Sequence, residues 1–341
     1  MKKPTSHSIE YQQFNFKLTA QEPIILPVYK GSTLRGGFGY AFKRVVCAIR
    51  DRECPDCILK EKCVYSYVFE TPLPSDTKIM RKYRSAPHPF VIEPPSERRR
   101  GFKTGDEINF GLTLIGRAID YLPYFIYTFD ELGRIGIGKG KAKYELKTVT
   151  SHEPTVNIHE SAVKNTDKNN IIYSSKTKTL KSFEKSVIPV DFASGFATSV
   201  FSHDSRLLTL DFMTPTRILY DSRLTLDLEF HILIRNLLRR LSLLYYFHCN
   251  GDPLEWDFKG IIEKAKDVQV KEYDLKWYDW ERYSGRQGTR LKMGGFVGGI
   301  TFEGNIEPFM SLIKAGEILH VGKGTAFGLG KYKIVKGDIE E

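Results

Sequence analysis

The sequence predicts an α+β protein made of two similar halves in tandem, and three observations carry that prediction. The stretches LPYFIYTFDELGRIGIGKGKAKYEL (residues 122–146) and IEPFMSLIKAGEILHVGKGTAFGLGKYKI (residues 306–334) share one plan: a proline, an amphipathic helix, a Gly-Lys-Gly loop and a strand. A segment of alternating character precedes each of them, INFGLTLIG at 108–116 and GGFVGGITFEG at 294–304, as expected of a strand with one buried face. Further upstream, each half has an extended segment followed by a longer helical pattern. Strand, helix, strand, strand, helix, strand is the βαββαβ order of a ferredoxin-like, or RRM-like, unit, here present twice.

In the first half the extended segment is FNFKLTA, 14–20. The helix after it begins near Ser32, whose hydroxyl suits an N-cap, and runs through LRGGFGYAFKRVVCAIR. Gly36, Gly37 and Gly39 fall in one turn. Each costs about 1 kcal/mol relative to Ala in a helix interior, which implies a close neighbour there. Leu34, Phe38, Ala41 and Val45 form the buried face, leaving Arg35, Tyr40, Lys43 and Arg44 free to face a ligand. The loop before the first half's last strand carries Gly138, Lys139, Gly140, Lys141 and Lys143.

Four of the five cysteines, Cys47, Cys54, Cys57 and Cys63, follow C-x6-C-x2-C-x5-C within residues 47–63. In a reducing compartment such clustering favours a metal over disulfides. Four thiolates suit a structural zinc, with an iron-sulfur cluster as the alternative. No histidine or carboxylate in the pattern would activate a water. Residues 151–187 are polar, with SAVKNTDKNN (161–170) as a surface loop, so the domains are 1–187, including the Cys-rich insertion and the polar linker, and 188–341.

The second half repeats the order with LLTLDFM at 207–213 and the helix LDLEFHILIRNLLRRLSLLYYF at 226–247. His231, Arg235 and Arg239 fall at i, i+4 and i+8, one polar stripe against the leucines. A histidine beside two arginines is expected to stay neutral near pH 7, as a general base must. The loop at 320–332 brings together Gly322, Gly324, Gly328 and Gly330 with Lys323. Glycines let backbone amides approach an anion closely, so this loop reads as a phosphate site, with His320 immediately before it.

Lys and Arg outnumber Asp and Glu by 51 to 41 over 341 residues, a net charge of +10, and aromatic residues make up 13%. That balance points to a polyanionic partner and offers stacking surface. There is no membrane-length apolar run, and MKKPTSHSIEY has no apolar signal core, so the expected location is the cytoplasm, away from membranes.

Taken in order, STLRGGFGYAFKR, CPDCILKEKCVYSYVFE, PHPFVIEPP, FGLTLIGRAIDYLPYF, LDFMTPTRI, RYSGRQ and HVGKGTAFGLGKY resemble the CRISPR-associated RAMP endoribonucleases that process precursor CRISPR RNA. The resemblance covers nearly the whole chain. It implies RNA held on a basic surface between two ferredoxin-like domains. It also implies metal-independent cleavage within repeats, by 2′-hydroxyl attack that leaves a 2′,3′-cyclic phosphate and a 5′-hydroxyl. Similar sequences often have histidine where this chain has Tyr40. The expected proton-transfer and charge-stabilising residues are therefore Tyr40, Lys43 and His320, with Tyr29 and His231 as further candidates. The expected RNA contacts are Arg35, Arg44, Lys139, Lys141, Arg282, Arg286 and Lys323, with Gly322, Gly324 and Gly328. Expected partners are CRISPR repeat RNA and subunits of a CRISPR effector complex.

Overall fold

The computed structural model describes residues 7–50, 52–152, 170–190, 206–250, 252–284 and 288–337. The chain divides into two units, one of residues 9–187 with 244–253, the other of residues 1–8, 188–243 and 254–341. Arg286 and most of the SAVKNTDKNN stretch lie outside the described residues.

The N-terminal unit is built on β1 (Ser8–Ala20), whose alternate residues Ile9, Tyr11, Phe14, Phe16, Leu18 and Ala20 are buried. After β2 (Ile24–Ile25) comes α1 (Gly31–Val46), then β3 (Phe90–Glu93), β4 (Gly101–Phe102), β5 (Glu107–Ile115), α2 (Leu122–Ile135), β6 (Tyr144–Ser151), β7 (Ile171–Ser174) and β8 (Ser186–Pro189), whose last two residues fall in the other unit. The main sheet runs β3-β5-β1-β6-β7, antiparallel throughout, and β8 adds to β1. Phe38 of α1 and Phe125 and Phe129 of α2 meet Phe16, Phe90 and Phe110 of the sheet in one aromatic core.

Two of the α1 glycines are explained by packing. A side chain at Gly39 would run into the Phe69 ring, and one at Gly37 would press on Leu132 of α2 at 3.0 Å. Gly36 faces open space. The helix starts at Gly31 after Lys30, two residues before the expected Ser32 cap. Lys30 is fully buried and its ammonium donates to the carbonyls of Glu97 (2.6 Å) and Val28 (3.4 Å), which fixes the helix start.

The second unit contains β9 (Arg206–Thr216), a small hairpin of β10 (Leu219–Tyr220) and β11 (Arg223–Leu224), and α3 (Phe230–Tyr245), whose last two residues fall in the N-terminal unit. It continues with α4 (Phe258–Ala265), β12 (Gln269–Tyr278), the hairpin of β13 (Glu281–Ser284) and β14 (Thr289–Lys292), β15 (Gly295–Gly304), α5 (Met310–Leu319) and β16 (Tyr332–Gly337). Its sheet runs β12-β15-β9-β16, again antiparallel. Leu237 of α3 and Tyr332 of β16 close on Gly316 of α5, where a Cβ would overlap both.

Candidate active site

The Gly-rich loop before β16 is shaped from within. Gly322, Gly324, Gly328 and Gly330 all have left-handed φ, between 75° and 82°. The TPTR segment grips the loop from the side. Thr214 Oγ1 donates to the Gly328 carbonyl at 2.8 Å, the carbonyl of Pro215 accepts from Gly330 at 3.2 Å, and that of Arg217 accepts from Lys323 at 2.9 Å. The Arg217 guanidinium donates to the Gly294 carbonyl at 2.6 Å. Backbone conformation therefore accounts for all four glycines, where the sequence alone favours a bound anion. A Cβ at Gly330 would overlap the Val321 carbonyl. Gly330→Ala is expected to lower stability by about 2 kcal/mol or more, read as a drop in the urea midpoint.

His320 is 0% exposed and lies beneath this loop, its Nδ1–H donating to the Leu329 carbonyl at 3.0 Å. It is not at the surface where a phosphate would arrive. His231 is also buried, and its near neighbour is Glu229, Nδ1 to Oε2 3.3 Å, while Arg235 and Arg239 project outward. The expected electrostatic pressure from two arginines thus meets a carboxylate at close range. Arg282 lies over the Phe327 ring at 4.8 Å, and Lys323 is exposed.

The four cysteines are free thiols, each partly exposed. Among the described residues no group of three or more His, Cys, Asp or Glu is placed to hold a metal, although Cys47 and Cys63 lie near enough to Cys54 to act on its thiol. The turn of the CPDC segment does form, with the Cys57 amide donating to the Cys54 carbonyl at 3.3 Å.

The chemically distinctive place is on α1 of the N-terminal unit. Tyr40 is 56% exposed and its phenol oxygen accepts from Arg44 Nη1 at 3.1 Å. That hydrogen bond, the Arg44 charge and the Lys141 charge together hold the phenol below the ordinary tyrosine range. Lys141 stands on a tight hairpin, in which Ile137 and Ala142 exchange amide hydrogen bonds and Gly138, Gly140 and Lys141 are left-handed. Tyr29 is the opposite case, since burial and then the Glu93 carboxylate keep its phenol protonated far above neutral pH. Lys43, half-buried, is 5.9 Å from the Tyr65 ring.

Arg35 is engaged inside the unit. Its Nη2 donates to His88 Nε2 at 2.9 Å, its guanidinium lies 4.4 Å over Phe69, and His88 Nδ1 is 2.6 Å from Thr71 Oγ1. His88 sits in the PHPFVIEPP segment, where nothing in the sequence marks it as a partner of Arg35. Beside the hairpin a cleft of 440 Å3 opens between α1, β2 and the residues before β4. Lys139 lies in its wall, and so does Arg100, which belongs to the ERRR run at 97–100.

Two family models match the chain. Residues 9–182, just over half of it, match AF_1859_N, an N-terminal domain, and residues 210–332 match CRISPR-associated endoribonuclease Cas6. The second match likens the C-terminal part of this chain to CRISPR-associated, RNA-processing proteins. The chain belongs to the AF_1859_N family through its N-terminal half and is Cas6-like through its C-terminal half. An uncharacterized protein of Archaeoglobus fulgidus is 23% identical over 312 residues, 91% of this chain and 92% of the relative. A partial Cas6-RT-Cas1–Cas2 complex superposes at a TM-score of 0.53 and 13% identity over 97% of this chain, which spans only 47% of that one. The product complex of a Thermus thermophilus Cas6 superposes at a TM-score of 0.51 and 16% identity, over 96% of this chain and 99% of the other. These likenesses establish a mixed α and β, Cas6-like fold. Among the described residues no helix is long and apolar enough to cross a membrane.

Proposed function

We propose that this chain is an endoribonuclease that cuts precursor CRISPR RNA within its repeats, without a metal, leaving a 2′,3′-cyclic phosphate and a 5′-hydroxyl. The observation that carries this reading is the Tyr40 phenol on α1, with Arg44 at 3.1 Å and Lys141 acting on it. Each sheet has its strands in the spatial order second, third, first, fourth of a βαββαβ unit, which supports two ferredoxin-like units in tandem.

Transesterification needs a base for the 2′-hydroxyl, charge to balance the phosphorane and a proton for the departing 5′-oxygen. Tyr40, biased toward its phenolate, takes the 2′-hydroxyl proton as the oxygen attacks phosphorus. Arg44 and Lys141 balance the added negative charge, and the Lys141 ammonium gives the 5′-oxygen its proton as the P–O bond breaks. A tyrosine at the position where similar sequences have histidine also supports a second reading, a subunit that grips guide RNA without cutting it.

The deciding experiment incubates the purified protein with its own repeat RNA in excess EDTA and maps the product ends. A single cut ending in a cyclic phosphate is the expected result. Tight binding without a product would select the second reading.

A further inference from the structure

We propose that the cleft beside Tyr40 seats one unpaired nucleotide of the RNA, its base on an apolar floor and its phosphate between Arg100 and Lys139. This rests on the RNA-processing reading and adds to it a specific requirement on the substrate.

The cleft, at 440 Å3, lies in the range of about 300–1,000 Å3 that encloses small organic ligands. Its floor is Ile25, Leu26, Pro27 and Ile137, and none of the residues lining it is acidic. Ile25 is 50% exposed, a large apolar side chain left in water between two cations. An aliphatic surface of this kind is what an extruded base stacks on when it leaves a helix.

The two cations are placed by backbone pairing. On one edge of β2, Ile25 is opposite Gly101 of β4, and the Leu26 amide donates to the Arg100 carbonyl at 2.8 Å. On the other edge, the Lys139 amide donates to the Ile25 carbonyl at 3.2 Å. Arg100 and Lys139 thus approach the same floor from opposite sides. The neighbouring Arg99 is bound to Asp106, whereas Arg100 and Lys139 are exposed and have no ion-pair partner among the described residues. Gly136 and Gly138, at φ 95° and 73°, let the hairpin close against β2 and carry Lys139 to the floor, since a Cβ at either would overlap neighbouring backbone. Thr33 of α1 adds a hydroxyl to the rim.

The location sets the register. Lys139 in the cleft and Lys141 at Tyr40 stand two residues apart on one hairpin, a span of at most about 7 Å. That is close to one nucleotide step, so the seated nucleotide lies next to the bond that is cut. A paired base cannot enter. The cleft therefore selects RNA that is unpaired beside the cleavage position.

The test replaces each repeat position in turn with 2-aminopurine, whose fluorescence rises when it unstacks, and adds the full-length protein. One position beside the cut is expected to brighten on binding. Thr33→Phe, which fills the cleft, is expected to return that position to its free-RNA signal. Arg100→Ala and Lys139→Ala change exposed side chains that the fold does not use, and each is expected to weaken binding about tenfold and to flatten its salt dependence. If the RNA binds and is cut but no position brightens, or the signal persists in Thr33→Phe and both alanine variants, the nucleotide seat is wrong and the nuclease reading stands. If the RNA is neither bound nor cut, both fall together.

Discussion

Tyr40→Phe is expected to abolish cleavage almost completely while leaving RNA binding and the fold in place. The substitution removes one oxygen from a side chain that is 56% exposed, so no core contact is lost. What is lost is the proton acceptor, and positioned acid–base groups contribute about 10²–10⁴-fold to such reactions. Because Arg44 and Lys141 hold the phenol below its ordinary value, the active phenolate form accumulates at lower pH than a free tyrosine would allow. The single-turnover rate should then rise with pH and level off before about pH 10. Arg44→Met, which takes away the largest of these influences, should move the inflection upward. A rate that is flat with pH and indifferent to Tyr40→Phe would remove the phenol from the mechanism.

Phe38→Ala is expected to have the largest effect on stability. The ring lies two residues from Tyr40 on the other side of α1, stacked at 4.7 Å on Phe125, 4.9 Å on Phe42 and 5.2 Å on Phe129, with Phe90 edge-on at 5.9 Å. It is fully buried, and its neighbours are held by the sheet and by α2, so they cannot collapse into the gap. Truncations of this kind cost about 3–5 kcal/mol. Denaturant unfolding followed through the N-terminal unit's tyrosines should show the loss, and cleavage should fall at temperatures well below the wild-type midpoint. Phe38→Leu keeps most of the volume and should recover the larger part of it.

Periodicity made much of the architecture legible. The alternation in β1, β5, β9 and β15 and the apolar faces of α1, α2, α3 and α5 could be read directly, because each packs one face against a core. Two main strands of the βαββαβ units had no such signal. β3 is four residues long, and β12 is an edge strand whose side chains are nearly all exposed, so neither imprints a buried face on the sequence. The site was legible by residue type more than by position. Tyr40, Arg44, Lys139 and Lys141 were visible as polar groups on a helix and a loop. That Lys141 acts on Tyr40 comes from pairing among residues 25, 101, 137, 139 and 142, much of it through strands of one or two residues that no periodicity marks. His320 shows the opposite failure. Adjacency in sequence put it beside the loop, but its left-handed φ of 62° accompanies a side chain wholly enclosed by the fold.

The grip of TPTR on the Gly-rich loop bears on how this segment can be moved between proteins. Besides its own internal hydrogen bonds, the loop is held by Thr214, Pro215 and Arg217, more than a hundred residues earlier in the chain. Residues 320–331 cut out alone would carry the glycines and the loop's internal hydrogen bonds, such as Val321 N–H to the Gly330 carbonyl, but not the outer partners that hold Lys323, Gly328 and Gly330. A chimaera keeps the loop only if both segments come from the same donor, so this pair is a single cassette for exchange although the chain writes it in two places.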